Sequence, residues 1–392
     1  MDDSELVTVL IPAHNEDRFL GACLASVRGQ DYPNLQIVVV DGASTDLTAE
    51  IVGQHMREDV RIETVRTERL SIPASLNLGL ARARGRWLVR VDAHSTVPET
   101  YVRAAVTRLR EHAWGGVGGR KDGVGRTPAG RAIAVAMSSR LAVGNSTYHF
   151  GTMPQEVDHL AFGAYPVAVA REMGGWDERL TANEDFEFDY RIRRSGRRLL
   201  FDPALAISWH CRQTLPDLFR QYRRYGEGKV DVALLHPDSL NPRHVAPPLF
   251  VVYLVAALVV GARRPGWARA MTAPYVAVLA VESVRLAPRL ERRAEQLRVP
   301  AAIVAMHTAW GLGFWTGLVR HLLHTASQWG PTGGAPGRGG VRSSESLDGP
   351  RGAARSGAGS EALGGEAQCS RGVVPRRSGW CSMPGMSCAW RP

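Results

Sequence analysis

The sequence predicts an α/β fold, in which a mostly parallel sheet carries helices on both faces, followed by C-terminal membrane helices. Short β-branched runs alternate with stretches of helical periodicity, and polar turn residues follow the runs. After residue 230 the composition changes to apolar segments separated by arginine clusters. Since ligands of open parallel sheets bind beyond the carboxyl ends of the strands, we expect the functional site in the turns that follow them.

The first part of the chain alternates strands with helices. In chain order the sequence predicts a strand at 6–12, a helix at 19–27, a strand at 35–40, a helix at 47–56, a strand at 60–65, a helix at 76–83, a strand at 87–91 and a helix at 101–111. Residues 115–163 are glycine-rich and polar, which predicts loops in a less regular half that closes over the first. Helical periodicity returns at 184–195 and in an Arg-rich amphipathic stretch at 215–225.

Length and composition bound the class of protein. With 392 residues and 44% hydrophobic residues, the chain can bury an enzyme-sized core, and disorder throughout is excluded. The net charge of +10 is carried almost entirely by arginine and suits nucleic acid, anionic lipid or a phosphorylated substrate, so charge alone does not choose among them. The five cysteines lack paired CxxC spacing, which predicts a reducing compartment and no structural metal or disulfide framework.

Three regions follow from the composition. Residues 1–230 form the predicted α/β domain, and their acidic start followed directly by a strand indicates a cytosolic domain without a signal peptide. Residues 231–325 contain the apolar segments and are predicted to associate with a membrane as two or three helices. Residues 326–392 are rich in Gly, Pro, Ser and Arg, which predicts a disordered tail.

The apolar segments at 247–261, 271–281 and 299–323 differ in length. A straight crossing needs roughly 20 apolar residues, so only the third is comfortably long enough, and the first two form a hairpin or lie partly in the interface. The positive-inside rule places the arginine-rich loop at 285–298 in the cytosol, which agrees with a cytosolic domain if the first two segments cross as a pair. We therefore expect a multi-pass membrane protein, with a buried helical subdomain as the alternative.

Four polar motifs fall at or beyond predicted strand ends: Pro-Ala-His-Asn-Glu at 12–16, Asp-Gly-Ala-Ser-Thr-Asp at 41–46, Asp-Ala-His at 92–94 and Asn-Glu-Asp at 183–185. Together they resemble the inverting family 2 glycosyltransferases of the GT-A fold, over residues 6–230. The Asp-Ala-His form, the stretch 221–226 and the segment 307–314 resemble the membrane-bound succinoglycan-type exopolysaccharide glucosyltransferases most closely. The resemblance implies the fold, the reaction class and the residue roles below.

The first two motifs are candidates for the nucleotide site. Pro12 ends a strand, so the backbone of Ala13 and His14 is exposed for a base or ribose, and Glu16 is near enough to accept a hydrogen bond from a hydroxyl. The alternative is an ordinary strand-to-helix turn capped by Asn15. In the second motif, Asp41 can accept the imide proton of uracil. Ser44 with Asp46 fits a helix start, and Asp46 fits a helix cap better than a ligand contact.

Asp92 and His94 are the candidate metal ligands. The family carries an Asp-x-Asp motif here, which holds Mg²⁺ or Mn²⁺ against the donor diphosphate and neutralises charge on the leaving group. Histidine replaces the second aspartate in this chain, and imidazole suits Mn²⁺ better than Mg²⁺. The alternative for Asp92 is a turn residue. His210 is a further candidate for a metal or phosphate contact, with a purely structural role as the alternative.

Asp185 and Glu184 open an Arg-rich helix, where the helix N-terminus stabilises an ionised carboxylate. An inverting transfer needs one base to take the proton of the acceptor hydroxyl, and the resemblance assigns that role to Asp185. Glu184 would contact the acceptor or orient the base, and a helix cap made of two acids is the alternative. The upstream loop resembles the family's acceptor loop, in which Trp176 beside Gly175 could stack on a sugar ring.

Gln221 and Arg224 sit where processive relatives carry a Gln-x-x-Arg-Trp motif that contacts the diphosphate and acceptor. Tyr225 replaces the tryptophan, which puts processivity in doubt, and a basic helix resting on the membrane surface is an equal alternative.

The sequence thus predicts a metal-dependent enzyme that transfers a sugar with inversion from a nucleotide-diphospho-sugar, first of all a UDP-sugar, to a saccharide on a polyprenyl diphosphate. Two alternatives are a polyprenyl-phosphate sugar transferase or a processive polysaccharide synthase. Another is a noncatalytic membrane protein with a degenerate transferase domain. A nucleic-acid partner is not expected, since the arginines are not interleaved with stacking aromatics.

Overall fold

A computed structural model describes residues 3–328 of the chain, with side chains through Thr325. Residues 3–325 belong to one compact unit. The predicted disordered tail lies outside the described residues, except that its first three residues continue the last helix.

The strands are β1 (Val7–Ala13), β2 (Leu35–Asp41), β3 (Ile62–Arg66), β4 (Trp87–Arg90), β5 (Ser95–Thr96), β6 (Trp114–Gly118), β7 (Lys121–Val124), β8 (Gln155–Val157), β9 (Ala164–Pro166), β10 (Arg198–Phe201) and β11 (Ile207–His210). The helices are α1 (Leu20–Arg28), α2 (Thr48–Glu58), α3 (Ile72–Arg82), α4 (Tyr101–Glu111), α5 (Pro128–Met137), α6 (Arg140–Val143), α7 (Val167–Glu172), α8 (Glu184–Arg194), α9 (Leu215–Leu235), α10 (Pro242–Arg263), α11 (Pro265–Leu286), α12 (Arg293–Gln296) and α13 (Val299–Gln328).

The main sheet has the strand order β3-β2-β1-β4-β9-β6-β10-β8. β1 pairs in parallel with β2 on one side and with β4 on the other, and β9 and β8 are the antiparallel members. The chain therefore runs outward from β1 to β3 and then returns to the opposite side of β1. Ligands of such sheets bind at this reversal point, between the carboxyl ends of β1 and β4. A smaller sheet of β5, β11 and β7 lies beyond those ends.

Both faces of the main sheet are covered. All residues of β1 and β2 are buried, as expected for strands with helices above and below. Alternate residues of β1 pack into two different clusters: Val9 and Ile11 contact the side of α1 and α4, whereas Leu10 contacts the side of α3 and α8. The mostly parallel α/β fold with helices on both faces is confirmed.

The structure corrects the prediction for residues 115–163. This stretch is not mainly loop, because it supplies β6 to the main sheet, β7 to the small sheet and the ten-residue helix α5. These elements were not predicted because they are rich in glycine and alanine. Such small residues give a weak hydrophobic periodicity in the sequence. Gly116, for example, lies where a Cβ would come within 2.6 Å of the Tyr165 ring.

Helix α9 is longer than predicted and runs through the expected boundary at residue 230. It ends at Leu235, and its middle packs closely on α13. A Cβ at Gly226 would overlap the carbonyl oxygen of Trp310, and one at Gly313 would overlap the carbonyl oxygen of Arg223. Glycine is therefore required where the two backbones approach each other.

Three helices are long and apolar enough to cross a membrane by length and composition, but their surroundings differ. α10 and α11 form an exposed hairpin, in which 17% and 6% of the most apolar stretch is buried. For α13 the buried share is 39%, because one face lies against the α/β domain. His307 and Arg320 mark that face: the first contacts the carbonyl oxygen of Leu141 at 2.8 Å, and the second pairs with Asp231 at 2.9 Å. The hairpin is thus no buried subdomain.

Candidate functional site

The turn after β1 and the turn after β2 are fastened to each other. His14 contacts the carbonyl oxygen of Gly42 through Nδ1 at 2.6 Å, and Gly42 donates its N–H to the carbonyl oxygen of Ala13 at 2.8 Å. Asn15 has a left-handed backbone and accepts the N–H of Thr45 at 2.8 Å. β1 extends one residue past its predicted end at Pro12, so Ala13 is a buried strand residue, and Asn15 ties the turns together and does not cap α1.

Asp41 ends β2 and is buried at the floor of this junction. Its Oδ1 accepts the N–H of Ser44 at 3.0 Å, and Arg66 lies 3.9 Å from its Oδ2. Asp46 precedes Leu47, the N-cap residue of α2; its Oδ1 accepts the N–H of Thr48 at 3.0 Å, and its Oδ2 accepts the N–H of Asp17 at 3.1 Å. One oxygen of Asp41 is thus already used within the turn, and Oδ2 faces a cation.

Arg90, at the end of β4, joins the candidate metal and catalytic residues. Its Nε donates to Oδ1 of Asp92 at 3.1 Å, and its two terminal nitrogens lie 3.5 Å from Oε1 of Glu184. The guanidinium is buried. Burial would lower the pKa of Arg90, but the carboxylates of Asp92 and Glu184 raise it above its ordinary value. A permanent positive charge therefore holds these two acids together.

His94 is engaged by Glu16, so the first and third motifs meet. Nδ1 of His94 lies 2.9 Å from Oε1 of Glu16, which leaves Nε2 of the ring and Oε2 of Glu16 for other partners. His210 donates its backbone N–H to the carbonyl oxygen of His94 at 3.1 Å, and its ring is tilted against the Phe19 ring, with the two centroids 4.6 Å apart. Within the part of the chain that the structure describes, Oε2 of Glu16 and Nδ1 of His210 are buried without a partner.

Glu184 and Asp185 begin α8, as predicted. Burial and the adjacent Asp185 raise the pKa of Glu184 to about 7, although Arg90 opposes the shift. Burial would also raise the pKa of Asp185, but His159 and Arg90 lower it below its ordinary value. Asn183, in the left-handed region, turns the chain into the helix and donates to the carbonyl oxygen of Tyr225 at 3.0 Å. The two acids therefore differ in protonation near neutral pH.

The prediction that Trp176 stacks on an acceptor sugar is wrong. Its side chain is 2% exposed, stacks on Phe188 at 4.5 Å and meets Tyr165 edge to face at 6.5 Å. Gly175 is buried too, and a Cβ there would overlap Oδ1 of Asn77. Both residues fix the loop before α8, and neither offers a surface to a ligand.

Helix α9 brings only part of its predicted motif to the site. Gln221 is buried with Oε1 unpartnered among the described residues, whereas Arg224 is exposed. Tyr225 faces the site: burial raises its pKa, and the charges of Asp185 and Glu184 add to the shift. Tyr225 thus lies near the acids of α8 in the position where processive relatives carry tryptophan.

Sequence reasoning missed Lys121, which extends over the Trp209 ring at 3.7 Å. Burial lowers its pKa to about 8, although the charges of Asp92 and Asp185 favour the charged form. Two features of the sequence could have drawn attention to these residues. Lys121 is a lysine in an arginine-rich chain, and Arg90 is a charged residue at the end of an apolar strand. Neither shows its partners until the strands are arranged in the sheet.

Comparison with known proteins adds a family match. Residues 8–171 match the family model described as Glycosyl transferase family 2. The chain is 29% identical over 324 residues to the succinoglycan biosynthesis protein ExoA of Rhizobium meliloti, which covers 79% of this chain and 94% of that protein. It is 22% identical to a dolichyl N-acetyl-alpha-D-glucosaminyl phosphate 3-beta-D-2,3-diacetamido-2,3-dideoxy-beta-D-glucuronosyltransferase of Methanococcus voltae, over 80% of this chain and 97% of that protein.

Among solved structures, the mannosyltransferase PcManGT from Pyrobaculum calidifontis, in complex with GDP-Man and Mn²⁺, superposes with a TM-score of 0.51 at 22% identity. The match covers 82% of this chain and 89% of that chain. This likeness confirms the GT-A type of α/β fold.

Proposed function

Because this chain carries a glycosyl transferase family 2 domain, we propose that it transfers a sugar from a nucleotide-diphospho-sugar, with inversion, to a lipid-linked saccharide in the synthesis of an exopolysaccharide or another cell-surface glycan. The observation that carries the proposal is the Arg90 bridge between Asp92 and Glu184. Asp92 is the candidate metal ligand, and the candidate base Asp185 follows Glu184 in the sequence. The Arg90 bridge therefore brings both groups to the same side of the sheet. Burying charged acids costs free energy of desolvation, and a noncatalytic, degenerate transferase domain would gain nothing in return.

The nucleotide half of the donor is assigned to the turns after β1 and β2. The buried carboxylate of Asp41 can accept a hydrogen bond from the imide of uracil, so a UDP-sugar is the first donor to test. The joined turns at His14 and Gly42 hold the backbone in place for the base and ribose. The related mannosyltransferase was solved with GDP-Man, so GDP-sugars belong in the same test.

The donor set around Asp92 fits a divalent metal ion bound together with a diphosphate. No three His, Cys, Asp or Glu side chains among residues 3–325 are grouped to hold an ion unaided, so the diphosphate and water would complete its coordination. Asp92 and His94 would hold the ion, with Glu16 and His210 supplying the buried unpartnered atoms beside them. This mixture of oxygen and nitrogen donors suits Mn²⁺. When bound, the ion would neutralise charge that grows on the leaving diphosphate.

The residues of the chain then divide the remaining work. Asp185 accepts the proton of the acceptor hydroxyl, whose oxygen attacks the anomeric carbon as the bond to the diphosphate oxygen breaks. Lys121 supplies a second positive charge that acts on Asp92 and Asp185, where we expect the diphosphate to leave. Glu184, held by Arg90, has a pKa raised to about 7, so its protonated form is well populated near neutral pH and can donate a hydrogen bond to an acceptor oxygen.

For membrane attachment we propose that the α10–α11 hairpin enters the bilayer and that α13 stays on the α/β domain. The exposed sides of the hairpin are apolar, and they include Leu258 and Val278. To cross the membrane, α13 would have to give up the contacts of Gly313 and Arg320 with α9. α9 carries too many charged residues to enter the bilayer together with α13. A hairpin returns the chain to the side on which it started, which keeps both ends of the described region in the cytosol.

The activity test uses detergent-solubilised full-length protein, a panel of UDP- and GDP-sugars, Mn²⁺ or Mg²⁺, and detection of released nucleoside diphosphate. Lipid-linked and soluble acceptors are compared, and the length of the product separates a single transfer from processive synthesis. Asp185→Asn should lower kcat by about a hundredfold or more, the usual contribution of a general base. Asp238→Asn, the same change at an exposed position, is the matched control. Equal activity of wild type and Asp185→Asn would refute the proposal.

The attachment test is separate. Leu258→Glu together with Val278→Glu should release the protein from the membrane fraction, because each charge would sit in hydrocarbon at a cost of about 2–3 kcal/mol. Val60→Glu, at an exposed apolar residue of the α/β domain, is the control and should leave the protein in that fraction. Retention of the double variant would exclude the hairpin as the anchor.

A further inference from the structure

Behind the proposed base lies a row of three side chains, Asp185, His159 and Asp189. Nε2 of His159 is 3.8 Å from Oδ2 of Asp185, and Nδ1 is 2.8 Å from Oδ2 of Asp189. Asp189 is completely buried, His159 is nearly so, and the Asp185 side chain is 31% exposed. The row thus leads from the interior of the domain to the open site.

The hydrogen bonds around Asp189 determine which nitrogen of His159 carries a proton. The Asp189 carboxylate also accepts the N–H of Leu160 at 2.7 Å and the O–H of Tyr165 at 2.9 Å. Burial raises the pKa of Asp189, although these two hydrogen bonds and His159 oppose the shift. An ionised Asp189 only accepts, so Nδ1 of His159 is then the donor. Nε2 can then donate toward Asp185 only when the ring is protonated. A neutral ring would point a lone pair at the carboxylate instead.

The charges on the two sides favour the protonated ring. Burial would lower the pKa of His159, but Asp185 and then Asp189 raise it above its ordinary value. The effect is mutual, since His159 is the largest influence that lowers the pKa of Asp185. Without it, only Arg90, the N–H of Phe186 and Lys121 would oppose burial, so the pKa of Asp185 would be higher.

We propose that His159, anchored through Nδ1 to Asp189, is a positioning residue that keeps the Asp185 carboxylate ionised and directed toward the acceptor hydroxyl. This inference rests on the proposed role of Asp185. The proton of the acceptor hydroxyl goes to Asp185, the hydroxyl oxygen bonds to the anomeric carbon, and the diphosphate leaves with the electron pair of the broken bond. His159 keeps both of its protons throughout, and Asp189 keeps its negative charge.

Other titratable groups also face this row. The charged ones around Asp185 and His159 are Arg90, Lys121, Asp158, Glu184 and Lys229. The tyrosines and histidines are Tyr148, His149, Tyr225 and His244. Arg90 and Lys121 also favour the ionised base, but Arg90 contacts Asp92 and Glu184, and the charge of Asp92 acts on Lys121 more strongly than that of Asp185. Lys229, whose pKa burial lowers to about 6, lies on the Phe186 ring at 3.3 Å. His159 alone in this set lies between Asp185 and the buried carboxylate of Asp189.

The test measures kcat and the donor KM of full-length protein against pH. His159→Gln should move the acid limb of kcat upward by about one to two pH units, the usual effect of an adjacent opposite charge, while the donor KM stays within about twofold. His149→Gln is the matched control: burial holds the pKa of His149 well below its ordinary value, so its ring carries no charge to lose. Its acid limb should stay in place.

Three outcomes are decisive. An unshifted limb in His159→Gln, with Asp185→Asn inactive, overturns the inference and leaves the proposed base intact. Full activity of Asp185→Asn instead refutes the proposed function itself. If His159→Gln does not fold, Asp189→Asn replaces it. Loss of the buried charge should lower the protonated fraction of His159 and move the acid limb of kcat in the same direction by a smaller amount. An unshifted limb in Asp189→Asn would overturn the inference.

Discussion

Replacing Glu184 by glutamine should stabilise the protein above pH 7 and leave its stability unchanged near pH 4.5. The folded structure raises the pKa of this buried group from 4.5 to about 7. Below pH 4.5 the carboxyl is protonated whether the chain is folded or unfolded, so ionisation costs nothing. Between pH 4.5 and 7 the unfolded chain ionises first, and the folded state loses stability relative to it as pH rises.

The size of the effect follows from the shift. A displacement of about 2.5 pH units at about 1.4 kcal/mol each corresponds to about 3 kcal/mol, an upper estimate because Asp185 titrates together with Glu184. Glutamine keeps the shape and can still accept from Arg90, but it cannot ionise. For a domain of this size we expect Tm to rise by about 5 °C at pH 8.5.

The assay is thermal unfolding of the detergent-solubilised protein at pH 5 and pH 8.5. Glu187→Gln is the matched control on the same helix, since Glu187 is ion-paired with Arg191 at 2.7 Å and with His236 at 2.9 Å. That change should destabilise at both pH values. An equal Tm difference for Glu184→Gln at the two pH values, or a lower Tm at pH 8.5, would refute the assigned environment of Glu184.

Three further predictions follow from other contacts. Lys121→Met should raise the donor KM about tenfold or more below pH 8. Above pH 8 the difference in KM should shrink, because burial lowers the pKa of Lys121 to about 8 and the wild-type side chain loses its charge there. Lys121→Arg stays charged and should keep the donor affinity above pH 8. Trp176→Ala should cost about 3–5 kcal/mol of stability, seen as a lower Tm, while the acceptor KM of the remaining folded enzyme stays unchanged, since the ring is core. Gly313→Leu should destabilise more than Leu312→Ala, by thermal unfolding, because only the former overlaps Arg223; equal Tm values would contradict the close packing of α9 on α13.

The sequence predicted the first half of the sheet well because its strands are continuous apolar runs followed by polar turns. Asp92, His94, Glu184 and Asp185 lie where those turns placed them, at or beyond strand ends and at the start of α8. The residues that link them could not be found in this way. Arg90 and Glu184 are 94 positions apart, and their meeting depends on how β4 and α8 pack.

Trp176 shows the opposite failure. The resemblance of its loop to the family's acceptor loop predicted a ring that could stack on a sugar, but a large aromatic side chain also gains stability from burial, and Phe188 and Tyr165 surround this one. His159 gave no sequence signal at all, since its partners lie 26 and 30 positions further along the chain, at Asp185 and Asp189.

The contact between α9 and α13 has a practical consequence. A chain cut at residue 230 would leave the face of Gly226 open to water and would remove Met306 and Ala309, which are buried against the domain. The shortened protein would be prone to aggregate through that new apolar surface. A soluble enzyme is better sought by replacing the α10–α11 hairpin with a short polar linker and retaining α13, which preserves the helix behind Tyr225.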